Sequence, residues 1–492
     1  MRSITMLLYL ACLCAILPAQ PLQYEIRPEN TPEGGKLKLR VTLEFYPSRT
    51  DTTRFGLPTQ INWSAGLHRC FRNFKAEGGR VVREDSTHLV VVSRGDGPVR
   101  LQYDILQHFP GEQVTVETSC SPIILPDYIH LPGECLFLVP RHYQLYEVTV
   151  RWTGLPKRWA LQNSFGSGEL EQKFQSVTSD WLRTIWVAGD FRILKGEALG
   201  KPFAFAIRGQ WLFDDRTLFD IAEKTIETQR REWEDEDIPF YSVTMIPFVL
   251  PKGGRVVGNA RTGRCLGYGR YQSFVVYASD DCPLDPLIHL FNHEMMHDWI
   301  GGKINTGSPG ETASLRWFDE GFSEYYALRN RWRAGFSTTA EFLDALNREF
   351  LASHYADPHG ETPNLIVERD FYTNPDYENV PYRRGCILAL YLDCAIRQKT
   401  GNTQTLHHFM LDLLDYTYGK RRDLLEHFDF FHETLGAYIG EAAAGTFLTQ
   451  YVDAGKRIAP GDFPAPDFLE FESVNGAPHL RIKAGREADF RR

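Results

Sequence analysis

The chain has 492 residues, of which 43% are hydrophobic and 24% charged, with a formal net charge of −9. That length is too great for one compact core and predicts two or three domains of ordinary globular composition. The acidic balance, with no basic run, excludes a nucleic-acid binder.

Residues 1–19 read as an export signal. Arg2 supplies a positive start, residues 6–17 are apolar but too short to span a bilayer, and Pro18-Ala19-Gln20 offers a cleavage region. The mature protein is therefore expected in a periplasm or outside the cell, and no later stretch reaches transmembrane length. Seven cysteines remain after the signal: Cys70, Cys120, Cys135, Cys265, Cys282, Cys386 and Cys394. An odd number leaves at least one thiol free. Cys120 with Cys135 and Cys265 with Cys282 are closest in sequence, which does not fix connectivity. Cys386 and Cys394 lie in a helical pattern, about 12 Å apart along the axis, too far for one bond.

Residues 20–209 read as an all-β domain, a sandwich or saddle-shaped sheet. Leu37, Leu39, Val41, Leu43 and Phe45 alternate with Lys38, Arg40, Thr42 and Glu44, the period of a strand with one buried face. Shorter strand-like runs follow at 88–93, 99–105, 113–118 and 147–152. The pattern then changes. Residues 216–235 are helical, with Leu218, Ile221, Ala222, Thr225 and Ile226 on one side and an acidic end, 232–237, that reads as a solvated face. Strand-like runs at 241–249 and 272–279 precede a mainly helical remainder. The fold class is thus α+β and multidomain, with a second domain over 210–456 and a short tail over 457–492.

The second domain contains His293-Glu294-Met295-Met296-His297. Two histidines four apart lie one turn above each other on a helix, so both imidazoles can reach one zinc ion. Asp285 is placed to cap this helix, Pro286 suits its first turn and Gly301-Gly302 can end it. Leu287, Leu290 and Phe291 give it an apolar side. His289 extends the row, but it stands about 12 Å from His297 along the axis, so it reads as a packed or surface histidine. A catalytic zinc takes three protein ligands and keeps a fourth position for water. Glu320 suits the third. It sits beside Phe318, Phe322 and Tyr325 at helical spacing, where an acid costs energy unless paired or metal-bound. Glu324, one turn on, could accept a hydrogen bond from the far nitrogen of a ligand histidine, or could simply be solvated. With zinc lowering the pKa of its water to roughly 7, Glu294 is the candidate general base.

These motifs resemble, in order, those of the glycyl aminopeptidase family of gluzincin metallopeptidases. His293 to Trp299 is similar to its H-E-x-x-H followed by tryptophan, and Trp317 to Tyr326 to its W-x-x-E-G-F-T-x-Y-Y block. Arg333-Ala334-Gly335-Phe336 resembles its R-A-G-L turn, and Tyr382 to Leu390 the start of its Y-x-K-G-A-L-x-A-L helix. Ala188 to Phe191 and the run 203–209 resemble the junction between its domains. The resemblance implies a thermolysin-like catalytic domain behind the β domain, zinc ligands His293, His297 and Glu320, Glu294 as base, and Tyr382 stabilising the oxyanion. It also implies a preference for small N-terminal residues such as glycine or alanine.

The chain departs from that pattern in three places. Twenty-two residues separate His297 from Glu320 (298–319), a gap easily taken up by a loop. Only 36 residues follow Lys456 (457–492), too few for the PDZ domain of many members. The strand expected to line the substrate groove reads Gly267-Tyr268-Gly269-Arg270. Gly269 stands where the family carries a glutamate suited to a free amino group. Arg270 either favours an acidic substrate group or lies on the surface. The expectation is an exported peptidase with one zinc ion acting on peptide or protein substrates, as an aminopeptidase. An endopeptidase or changed exopeptidase on the same site, a catalytically silent peptide-binding protein and another zinc hydrolase, such as an epoxide hydrolase, stand as alternatives.

Overall fold

The computed structural model describes residues 20–31, 36–47, 51–141, 145–236, 238–249, 264–304, 315–419 and 428–491. The expected signal segment and residues 305–314 of the stretch between His297 and Glu320 lie outside the described residues.

The N-terminal half is built of several sheets. A six-stranded sheet runs in the order Glu171–Val177, Leu145–Trp152, Gln20–Asn30, Leu37–Phe45, Val99–Ile105, Phe71–Glu77. The alternation read in 37–45 is the pleat itself: Leu39, Val41, Leu43 and Phe45 are buried on one face. They share a core with Leu131, Trp186 and Ala188 from a five-stranded sheet, so the two sheets pack face to face. The run 113–118 is no strand. It ends in a short 3-10 turn, Val116–Thr118, because Thr118 Oγ1 accepts from the Thr115 backbone N–H at 2.9 Å. Such local side-chain bonds compete with a sheet ladder.

A mixed five-stranded sheet follows, in the order Arg192–Ala198, Lys201–Ile207, Tyr241–Pro247, Ser273–Ala278, Cys265–Arg270. It draws strands from both sides of residue 209 and leaves Cys265–Arg270 as an edge. The helix Asp215–Glu232, capped by Asp214, buries Leu218, Ile221, Ala222, Thr225 and Ile226. Its acidic end is a solvated face only in part: Glu234 and Glu236 are exposed, whereas Glu232 and Asp235 are not. Glu232 pairs with Arg333, while Asp235 accepts from Trp299 Nε1 at 2.8 Å and pairs with Lys303. Buried carboxylates demand such partners, and these come from 64 to 101 residues away (299−235; 333−232).

The remainder is mostly helical. Leu284–Met296 carries the histidine motif, Arg316–Arg333 carries Glu320, and Val380–Lys399 carries Tyr382. The last two helices touch at Gly321 and Gly385. A Cβ on Gly385 would lie 1.8 Å from the Trp317 carbonyl oxygen, and one on Gly321 2.2 Å from the Gly385 Cα. The C-terminal residues form a hairpin, Leu469–Val474 with Ala477–Ile482, held by paired hydrogen bonds between Asn347 and the Leu480 backbone at 2.9 and 2.7 Å. The seven cysteines are buried thiols, and none forms a disulfide among the described residues. No helix of the described residues is long and apolar enough to cross a membrane.

Candidate metal centre

The motif helix starts at Leu284 after Pro283, and Asp285 does not cap it. Its carboxylate is drawn instead to Arg331 on the Glu320 helix. The helix also ends earlier than Gly301-Gly302, at Met296, with His297 on its C-terminal cap. His293 and His297 point their Nε2 atoms at each other, 3.2 Å apart. Glu320 Oε2 comes within 3.3 Å of the first and 3.6 Å of the second. An ion held tetrahedrally at about 2.1 Å from each donor spaces those donors by roughly 3.4 Å. The three edges therefore fit one zinc, with His₂Glu chemistry that leaves a fourth position open.

The electrostatics of the free residues agree with that fit. Burial disfavours the imidazolium of His293, yet Glu324, Glu320 and Glu294 outweigh it and its pKa is raised. Glu320 is half-buried, which alone would raise its carboxyl, but the two histidines hold it well below the usual range. Such a donor set collects negative charge around two imidazoles, which a divalent cation satisfies.

Glu324 is fully buried and lies behind the donors. Its Oε1 is 3.1 Å from His293 Nδ1, and its Oε2 is 2.8 Å from His289 Nε2. It is therefore not a solvated acid: its carboxylate lies between the Nδ1 of His293 and the Nε2 of His289. His289 is packed, and its role is to hold Glu324. Glu294 is 6% exposed and sits under the edge strand. Burial raises its pKa, and the Gly269 backbone N–H donates to it. The Tyr382 ring lies 6.1 Å from that of His293, at an angle of 29°. Burial, then Glu320, push its phenol well above the ordinary tyrosine value, so it stays a donor.

The edge strand presents two different faces. Gly267 and Gly269 face the motif helix. A Cβ at 267 would meet the Glu294 side chain at 2.4 Å, and one at 269 would meet His297 Cβ at 2.4 Å and the Glu294 carbonyl at 2.6 Å. Tyr268 and Arg270 face the N-terminal half. Tyr268 shares a hydrogen bond with Ser119 at 2.9 Å, and Arg270 is buried and paired with Glu134 at 2.8 Å. Arg270 is thus neither a surface residue nor free for an acidic substrate group. Its alternation with Gly269 turns it away from the groove. The substitution Gly269→Glu is accordingly expected to destabilise the protein by about 1–3 kcal/mol through overpacking. It should also lower zinc occupancy rather than raise activity on free amines. Metal analysis and thermal melting would check this, and unchanged zinc with improved cleavage would refute it.

Sequence reasoning missed Asp298 and Arg316. Asp298, the residue after the motif, accepts from the Gln272 backbone N–H at 3.0 Å and so ties the motif helix to the turn of the edge hairpin. Burial pushes its pKa up to about 7. Its position next to His297 was the available signal. Arg316 lies one turn before Glu320, bonded to Glu368 at 3.0 and 3.1 Å, and nothing in its local sequence marks it.

No protein-family model matches the chain, and no curated protein matches it by sequence. Solved structures do. An aminopeptidase N family protein from Idiomarina loihiensis superposes with a TM-score of 0.70 at 16% identity, covering 92% of this chain and 79% of that one. An M1 zinc metallopeptidase from Deinococcus radiodurans gives 0.55 at 13% identity, covering 91% and 96%. A variant of the latter, bound to a Tyr-Ser-Ala substrate, gives 0.54 at 14% identity with the same coverage. At such identities the likeness is one of fold: a multi-sheet β domain followed by a helical domain.

Proposed function

We propose that this protein is an exported zinc peptidase that releases small N-terminal residues from peptides. The observation that carries the reading is the convergence of His293, His297 and Glu320 within tetrahedral edges, with Glu294 buried alongside. Bound there, zinc would polarise the scissile carbonyl and acidify the attacking water. Glu294, with its raised pKa, takes the proton and returns it to the leaving amine. Tyr382 offers a phenolic O–H where charge develops. Glu324 and His289 hold His293 in register. The motif resemblance to glycyl aminopeptidases and the fold shared with a peptide-bound M1 metallopeptidase support the same substrate class. One property sets this site apart. Position 269 has no room for a carboxylate, so selection of a chain end rests on the shape of the groove rather than on the amine charge.

The test is direct. Purified protein should carry one zinc ion and cleave glycyl and alanyl reporters. A chelator should abolish cleavage, and added zinc should restore it. Holding zinc at about 100 times its dissociation constant should stabilise the fold by about 2.7 kcal/mol, read as a higher melting temperature than the stripped protein. Substrates with the amino group replaced by hydrogen should be cleaved within about tenfold of their parents, since tenfold equals only 1.4 kcal/mol. Zinc binding without cleavage of any peptide would leave the silent peptide-binding reading in its place.

A further inference from the structure

A small hairpin of the N-terminal half reaches over to the helical half beside the metal centre. Gln60 pairs with Ala65 and Ile61 with Ser64, leaving Asn62 and Trp63 at the tip. Asn62 takes a left-handed conformation (φ 46°), which asparagine tolerates and which turns the tip. The base of the hairpin is tied to the edge strand: Ser64 Oγ accepts from the Cys120 backbone N–H at 3.0 Å, and the preceding residue, Ser119, bonds Tyr268. Trp63 also packs on the same apolar cluster as Leu266 and Tyr268. The tip then crosses to the opposite side. The Trp63 ring stands 4.9 Å from Tyr372, edge-on, and 5.8 Å from Phe371.

Both of those aromatic rings are held by Arg316, one turn before Glu320 on the same helix. Its guanidinium lies 4.1 Å from the Phe371 ring and 5.0 Å from the Tyr372 ring, and Glu368 holds it on the other side. Arg316 and Glu320 are four apart on one helix, so they share a face and stand about 6 Å from each other. The hairpin tip therefore joins the strand that covers Glu294 to the segment that flanks Glu320.

We infer that Trp63 is the end wall of the substrate groove and limits how far a peptide extends on one side of the metal. The inference rests on the peptidase reading and supplies what Gly269 cannot: a physical stop that selects chain ends by length. Aromatic contacts of this kind contribute modestly each, so the wall holds because Trp63, Phe371, Tyr372 and Arg316 act together.

Two series of peptide hydroxamates, extended stepwise on either side of the chelating group, test this on the zinc-loaded full chain by calorimetry. In the wild type, one series should lose affinity by about tenfold or more once it exceeds the wall, the range a pocket boundary supplies. Trp63→Ala should bring long and short members of that series within threefold of each other, roughly 0.7 kcal/mol. Trp63→Phe should keep most of the discrimination. Zinc content and circular dichroism should be unchanged in both variants. Equal affinities at all lengths in the wild type, or discrimination that survives Trp63→Ala, would overturn the wall. Length discrimination without hydrolysis would overturn the peptidase reading alone, and no binding at any length would count against both.

Discussion

The Glu294→Gln variant should bind zinc as the wild type does and lose about 10²- to 10⁴-fold in the rate of peptide cleavage, the contribution of a positioned general base. Glutamine matches glutamate in shape, so the tight packing against Gly267 and the hydrogen bond from the Gly269 backbone N–H are kept. Only the ability to take a proton disappears. Glu294 is not among the three converging donors, so metal content should stay at one ion per chain. Steady-state kinetics on glycyl and alanyl reporters, with metal analysis of the same samples, measures both quantities. Cleavage within threefold of wild type would remove Glu294 from the role of base.

A second large effect is expected far from any proton transfer. Gly385→Ala adds one methyl group where the helices carrying Glu320 and Tyr382 approach through Gly321. In an exposed helix, alanine would be favoured over glycine by about 1 kcal/mol. Here the new atom would sit within bonding distance of the Trp317 carbonyl, and backbone cannot swing away as a side-chain end can. The helices must separate, and overpacking of this severity should cost at least about 2–3 kcal/mol net. The separation would also draw Glu320 off His293 and His297. Urea unfolding of the zinc-free protein should show the lost stability, and zinc titration should show weaker binding. A variant as stable as wild type with unchanged zinc affinity would show that the crossing has room for a side chain and refute the expectation.

The histidine pair was legible because its geometry is local: His293 and His297 need only one helical turn to bring their ring nitrogens together. Glu320 was legible for a different reason, an acid amid Phe318, Phe322 and Tyr325 that burial alone would penalise. The strand 37–45 announced itself by period, and Cys386 and Cys394 are unbonded, as their spacing along one helix requires. What stayed hidden depends on partners remote in sequence. Glu232 and Asp235 look like part of a solvated acidic run until Arg333, Trp299 and Lys303 fold onto them. Asp285 has the right residue type for a cap, but Arg331 claims its carboxylate. Arg270 reads as a surface charge until Glu134, 136 residues earlier, is brought to 2.8 Å. For these residues the type was read correctly and the partner was invisible. The run 113–118 differs, since it has strand composition and was missed for a local reason, the bond from the Thr115 backbone to Thr118.

The pairing of Arg270 with Glu134 makes the edge strand common property of both halves. One face of that strand covers Glu294 and His297, and the other is fastened to the N-terminal sheets by Arg270 and Tyr268. A buried charge stripped of its partner costs about 3–5 kcal/mol, so a helical half expressed by itself would carry that burden at the strand nearest its reacting atoms. The two halves are consequently fastened to each other through that strand. Recombining this chain with a foreign β domain would require transplanting the acid for Arg270, the hydroxyl for Tyr268 and the Trp63 hairpin as one unit.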